Sequence, residues 1–113
     1  MDKDQTLAAL SALAQTHRLS IFRQLVVAGH TGMTPGELGK ALDMAPATLS
    51  FHLKELMHAG LLSKYRESRF IYYQANFAVM NDLIRYLTEN CCQGGECNLA
   101  TDPCPADHTG DTL

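Results

Sequence analysis

Residues 48–74, TLSFHLKELMHAGLLSKYRESRFIYYQ, carry the reading of this chain. Leu49, Leu53, Leu56 and Met57 recur three and four residues apart, the spacing of one buried face of a helix. Pro46 suits a first helical turn and Gly60 a helix end, so the helix is expected to start near Pro46 and stop at Gly60. Beyond Gly60 the pattern changes. Two short runs, 61–66 and 69–74, are rich in Tyr, Phe and Ile, and Glu67-Ser68 separates them. That arrangement predicts a β-hairpin with a short polar tip.

Working upstream, Thr34-Pro35-Gly36-Glu37 is a helix start, in which Thr34 can cap, Pro35 fits the first position and Glu37 completes a capping box. Leu38, Ala41 and Leu42 are expected to face inward, with a break at Asp43-Met44. Leu7, Leu10, Leu13 and Ala14 mark a first amphipathic helix. A second, capped by Thr16 and closed by Gly29, has Leu19, Phe22, Leu25 and Val26 as its apolar face. Downstream, Asn76 caps a last helix bearing Phe77, Met80, Leu83, Ile84 and Leu87. The order is four helices, a hairpin and a helix. This is a mainly α fold with a β-hairpin wing, a winged helix-turn-helix. Residues 1–90 form the winged-helix and dimerisation domain. Residues 91–113 form a cysteine-containing tail in which periodicity stops, expected to be flexible.

The chain has 113 residues and a formal net charge of -3. The distribution matters more than the sum. All nine Lys and Arg precede Asn90, against eight acids there, whereas the tail has four acids and no Lys or Arg. The domain is thus slightly basic, and local clustering must carry any argument for nucleic acid. No run approaches the ~20 apolar residues of a membrane span. The start MDKDQTLAAL lacks a signal-peptide apolar region, so no membrane partner and a cytoplasmic location are expected. The four cysteines, Cys91, Cys92, Cys97 and Cys104, all lie in the tail. In a cytosolic chain such a cluster points to metal binding or redox chemistry.

On a helical wheel for residues 46–59, Ala47, Thr48, Ser50, Phe51, Lys54, Glu55 and His58 point outward or flank, and the N-terminal half of that face is small and uncharged. Small residues let a helix approach the major groove of double-stranded DNA. Thr48 and Ser50 can bond phosphates or base edges, and Phe51 can meet a thymine methyl. His52 flanks the buried stripe, so base reading and packing both stay open for it. Lys64, Arg66 and Arg69 place three cations on the hairpin, suited to phosphates or the minor groove. A solvated helix face and an ordinary charged hairpin are the bland alternatives, and the two features together outweigh them.

The stretch resembles the ArsR/SmtB winged-helix signature: Ser-x-His-Leu-x-x-Leu at 50–56, Ala-Gly-Leu at 59–61, then a wing with arginine near its tip and tyrosine on the return strand. Leu13-Ala14, Arg18-Leu19 and Leu25 resemble that family's opening helices, so the likeness runs from about Leu7 to Tyr86. It implies a transcriptional repressor that binds operator DNA as a homodimer joined through its first and last helices. Leu7, Leu10, Leu83, Ile84 and Leu87 are the expected interface.

Several arsenic-responsive members carry Cys-Val-Cys in the helix before the recognition helix; Gly39 and Ala41 stand at those cysteine positions here. The Asp-x-His pattern of zinc-sensing relatives is also missing from NDLIRYLTEN at 81–90. The tail offers CCQGGEC at 91–97, which resembles the C-terminal cysteine clusters of another arsenic-sensing branch. Thiolates suit soft ions. The resemblance implies arsenite, As(III), or antimonite, Sb(III), as the inducer. Cys91, Cys92 and Cys97 are the expected ligands, with Gly94-Gly95 allowing the chain to fold back between them, and Cys104 is an additional candidate. Cadmium, mercury or zinc, or a thiol redox switch, are the alternatives. A thiol oxidoreductase or a metal carrier is the rival outside this class. Neither a phosphate-cradling loop nor a C-x-x-C at a helix start supports an enzyme.

Overall fold

The computed structural model describes residues 1–94. Five helices surround one hairpin: α1 (Lys3–Leu13), α2 (Thr16–Ala28), α3 (Pro35–Leu42), α4 (Pro46–His58), β1 (Leu62–Glu67), β2 (Phe70–Ala75) and α5 (Phe77–Thr88). Short 3-10 turns follow α2 at Gly29–Thr31 and α5 at Cys91–Gly94. Among the described residues no helix is long and apolar enough to cross a membrane.

Local chemistry sets the helix boundaries. The capping box before α3 forms as expected: Thr34 Oγ1 accepts from the Glu37 N–H at 3.1 Å, and Glu37 Oε1 accepts from the Thr34 N–H at 2.9 Å. A second box, Asp2 with Gln5, starts α1. Asp43 takes a left-handed conformation (φ 53°) and ends α3, as the Asp43-Met44 break anticipated. The cap of α2 differs from expectation. Gln15, not Thr16, accepts from the Arg18 N–H at 2.9 Å, which draws Thr16 into the first helical position. Asn76 does two jobs. Its Oδ1 caps α5 at the Val79 N–H, and its Nδ2 donates to the Gly60 carbonyl, tying the start of α5 to the exit of α4.

The hairpin is antiparallel, with Leu62 opposite Ala75 and Glu67 opposite Phe70. That register makes Ser68-Arg69 the two-residue tip, one residue later than the Glu67-Ser68 expected. Ser68 supplies the positive φ, 61°, of the tight turn. Arg69 therefore sits in the tip rather than on the return strand. Met33 pairs with Tyr73 through two backbone bonds of 2.9 and 2.8 Å, fastening β2 to the segment before α3.

The core is one cluster in which Ile21, Leu25, Leu38, Leu56 and Leu61 are fully buried. Two inward assignments are corrected. Leu19 is exposed and Ile21 takes its place; Ala41 is exposed while Leu38 alone of α3 is buried. Both errors have one cause. Adjacent stripes on an amphipathic helix fit the same period, and only the packed neighbours choose between them. Leu83 also moves. It is buried within its own chain's core, whereas Leu7, Leu10, Ile84 and Leu87 stay exposed on α1 and α5.

Candidate nucleic-acid interface and cysteine pair

The inward face of α4 holds Leu49, Leu53 and Leu56 in the core, so its outward residues are positioned by packing rather than by their own contacts. Ala47, Thr48, Ser50, Phe51 and Lys54 are all exposed, Phe51 by 56%. Ala45, before the helix, supplies no side-chain cap to the first turn, where Ala47 and Thr48 are exposed. The hairpin stands beside this face. Ser50 and Lys54 of α4 and Lys64 and Tyr73 of the wing line one shared concavity. The Lys64 ammonium lies 5.8 Å from the centre of the Tyr73 ring, a cation–π contact that steadies it. Arg66 bends to the turn, its Nε donating to the Ser68 carbonyl at 3.4 Å. The structure thus brings Ser50, Lys54 and Lys64 together, and puts Arg66 and Arg69 beyond them at the tip.

His52 is corrected. It is 8% exposed and turned toward α2, away from the outward face. Its ring stacks on His17 at 5.3 Å and 16°, and Arg18 Nη1 lies 3.4 Å from its Nδ1. An arginine can only donate, so Nδ1 accepts and the proton sits on Nε2. Arg18 Nε also donates to the Ala12 carbonyl at 2.7 Å, linking α1, α2 and α4 through one side chain. Burial holds the His52 pKa below its ordinary value. The charges of Arg18 and His17 push the same way, and Glu55 partly opposes them. Its signal in the sequence was its place beside the apolar stripe; what Arg18 would do there was not legible.

The Cys91 and Cys92 sulfurs lie 3.3 Å apart in the turn that closes α5, with Cys91 half-buried and Cys92 exposed. Asn90, Cys92 and Gln93 have positive φ of 60°, 55° and 56°, so this turn curls back sharply. Cys97 and Cys104 lie outside the described residues. Among the described residues no three His, Cys, Asp or Glu side chains cluster as a metal site. At Gly39, one of the positions where arsenic-responsive relatives resemble this chain but carry cysteine, a Cβ would come 3.1 Å from the Met44 carbonyl. The turn between α3 and α4 is closed over that position.

This geometry has counterparts. A helix-turn-helix domain model matches residues 13–64. The arsenical resistance operon repressor of Bacillus subtilis (strain 168) is 33% identical over 81 residues, covering 72% of this chain and 73% of that protein. The transcriptional repressor SdpR of the same organism is 33% identical over 55 residues, 49% of this chain and 61% of SdpR. The chain therefore spans less than two thirds of SdpR's own length. Among solved structures, the homodimeric winged helix-turn-helix DNA-binding domain of a possible ArsR-family regulator from Mycobacterium bovis superposes with a TM-score of 0.60. It shares 25% identity over 83% of this chain and 87% of that one. The fold is a winged helix-turn-helix, and the chain belongs to the ArsR family of transcriptional regulators. These relatives are regulators of transcription, not enzymes.

Proposed function

We propose that this protein is a cytoplasmic, homodimeric repressor that binds operator DNA and is released from it when arsenite or antimonite binds thiols at the end of α5. The observation that supports it most is the shared surface of α4 and the wing. A face with small residues, Thr48 and Ser50 continues into Lys54, Lys64, Arg66 and Arg69, with the exposed N-terminus of α4 beside it. Such a surface fits base edges in the major groove and phosphates on either side. Two copies joined through Leu7, Leu10, Ile84 and Leu87 would cover apolar side chains that one chain leaves in water, and would present two reading helices to a two-fold site. The homodimeric state of the Mycobacterium bovis domain supports this assembly.

The Cys91–Cys92 pair supports the inducer class. Two adjacent sulfurs are a soft chelating pair, and Cys97 is the third thiol of a pyramidal three-sulfur site. The likeness to an arsenical resistance repressor points to the same ion. Because the pair follows α5, ordering it around an ion would act on the helix that joins the dimer. An ion that favours one spacing of the reading helices over another must change DNA affinity by the same free energy. The test is a gel shift with DNA from upstream of the chain's own gene, with arsenite, antimonite, zinc, cadmium and mercury added in turn. A discrete complex released by arsenite at the lowest concentration is expected. A complex indifferent to arsenite overturns the inducer; absence of any discrete complex overturns the repressor.

A further inference from the structure

The wing ends in apolar side chains where an exposed turn ordinarily carries polar ones. Phe70 is 52% exposed and Ile71 37%. They follow directly on the Ser68-Arg69 tip, opposite Glu67 and Arg66. Neighbouring strand residues point to opposite faces, so the ribbon is apolar on both sides of its tip. Phe70 shares its face with Glu67, Tyr65 and Tyr72; Ile71 shares the other with Lys64, Arg66 and Tyr73. Neither belongs to the hydrophobic core or packs against it. Covering what remains exposed of either would be favourable, and the isolated chain forgoes it. The exposed residues of α1 and α5 account for dimerisation; the wing tip belongs to a different part of the molecule.

The ribbon is also braced. The Tyr65 and Tyr72 rings stack at 5.2 Å and 12°, and Tyr65 Oη donates to the Thr31 carbonyl at 2.8 Å. The Met33–Tyr73 backbone pair holds the base. A braced ribbon that ends in apolar side chains flanked by two arginines has the build of a wedge. On the Ile71 face its surface is continuous with α4 through Lys64; on the Phe70 face it borders Thr34, Gly36, Glu37 and Lys40 at the start of α3.

We propose that Phe70 and Ile71 form an apolar wedge that enters the minor groove flanking the site read by α4 and bends the duplex there. This rests on the DNA-binding reading above and adds how the wing contributes specificity. Arg66 and Arg69 neutralise the phosphates on the two sides of the groove. Ile71 covers sugar edges, and Phe70, on the opposite face of the ribbon, props open one base step. Pyrimidine–purine steps unstack most readily, so the protein favours them at the flank without hydrogen-bonding to any base there. Wedges of this kind kink DNA by about 20–90° toward the major groove.

The experiment uses the full chain and a duplex that the protein itself selects from a random-sequence pool, labelled at both ends for energy transfer. The parent protein is expected to shorten the end-to-end distance and to select TA or CA steps at the flank. The double variant F70S/I71S should bind at least about tenfold more weakly, because two apolar side chains lose their cover, and leave the duplex near its free length. Its flank preference should vanish while its salt dependence stays that of the parent, because no phosphate contact is lost. F70L should still bend. Both residues are outside the core, and circular dichroism of each variant confirms the fold. A straight duplex in the parent complex overturns the wedge, as does a double variant that bends DNA and selects steps like the parent. Failure of the parent to select any duplex overturns the DNA-binding reading itself.

Discussion

The reading surface and the cysteine turn are built in opposite ways. Every outward residue of α4 is held by an inward one: Leu49, His52, Leu53 and Leu56 are all buried. The wing beside it is fastened at Met33–Tyr73 and Tyr65–Thr31. At the other end, Leu83 is the buried residue of α5, and past it Ile84 and Leu87 face outward. The turn that follows runs through Asn90, Cys92 and Gln93 at positive φ, a conformation non-glycine residues adopt only at a cost. The DNA-facing part is complete in one chain. The end of α5 leaves Ile84 and Leu87 exposed, and on the function proposed above this is the part that meets a second copy and the inducer ion. A regulator benefits from that division, since only the part that responds needs a shape that binding can change.

The comparison breaks most decisively at Leu56. Leu56→Ala should lower unfolding free energy by about 2–5 kcal/mol in a urea titration, because the cavity opens under the reading helix. Leu87→Ala at the exposed end of α5 should change the unfolding free energy of the single chain, measured at a concentration below that at which it dimerises, by no more than about 0.5 kcal/mol. Equal losses at the two sites would mean that the ends are not built differently.

Next in size is the inducer response. Cys91→Ser, Cys92→Ser and Cys97→Ser should each raise the arsenite needed for release by about a hundredfold, or 2.7 kcal/mol, while DNA affinity stays within about twofold. Serine replaces a soft thiolate with a hard, protonated oxygen. Cys104→Ser should respond like the parent. A variant with all four cysteines changed that still responds would separate the inducer from these thiols.

Charge at the dimer face should act more mildly. Leu87→Asp or Ile84→Asp places like charges across a two-fold contact and should weaken dimerisation at least about tenfold by sedimentation. A parent that sediments as a monomer at micromolar concentration would remove the interface altogether. Arg69→Ala should weaken DNA binding a few-fold and reduce the slope of log affinity against log salt by about one. An unchanged slope would mean that Arg69, despite its place at the tip, touches no phosphate.

The smallest effect is that of pH. His52 has a folded-state pKa below the ordinary 6.5, so the unfolded chain takes up its proton more readily. Its contribution is whole above pH 6.5 and is lost as pH falls below 6.5 toward the lowered folded value. His17 and Arg18 face the ring from α2, and Glu55 on its own helix partly compensates. The urea midpoint should therefore fall between pH 7.5 and pH 5.5. His52→Gln, which does not titrate, should reduce that difference; an unaltered difference would place the titration elsewhere.

Element types and most boundaries were legible in the sequence because they depend on neighbours three or four residues away. The Thr34–Glu37 box, the Asn76 cap, the Asp43 break and the change of period at Gly60 are all local, and all stand in the structure. The outward residues of α4 followed from the wheel once its buried stripe was known. Tertiary structure alone decided which of two equivalent stripes is buried, Ile21 over Leu19. It turned His52 inward onto His17 and Arg18 and took Leu83 into the chain's own core. It also set the hairpin register that carries Arg69 to the tip and leaves Phe70 and Ile71 exposed beside it. The reason is physical. Helical and strand periods are fixed by backbone geometry within a few residues. Burial, register and stacking depend on surfaces brought together from distant parts of the chain, such as His52 and Arg18, 34 positions apart.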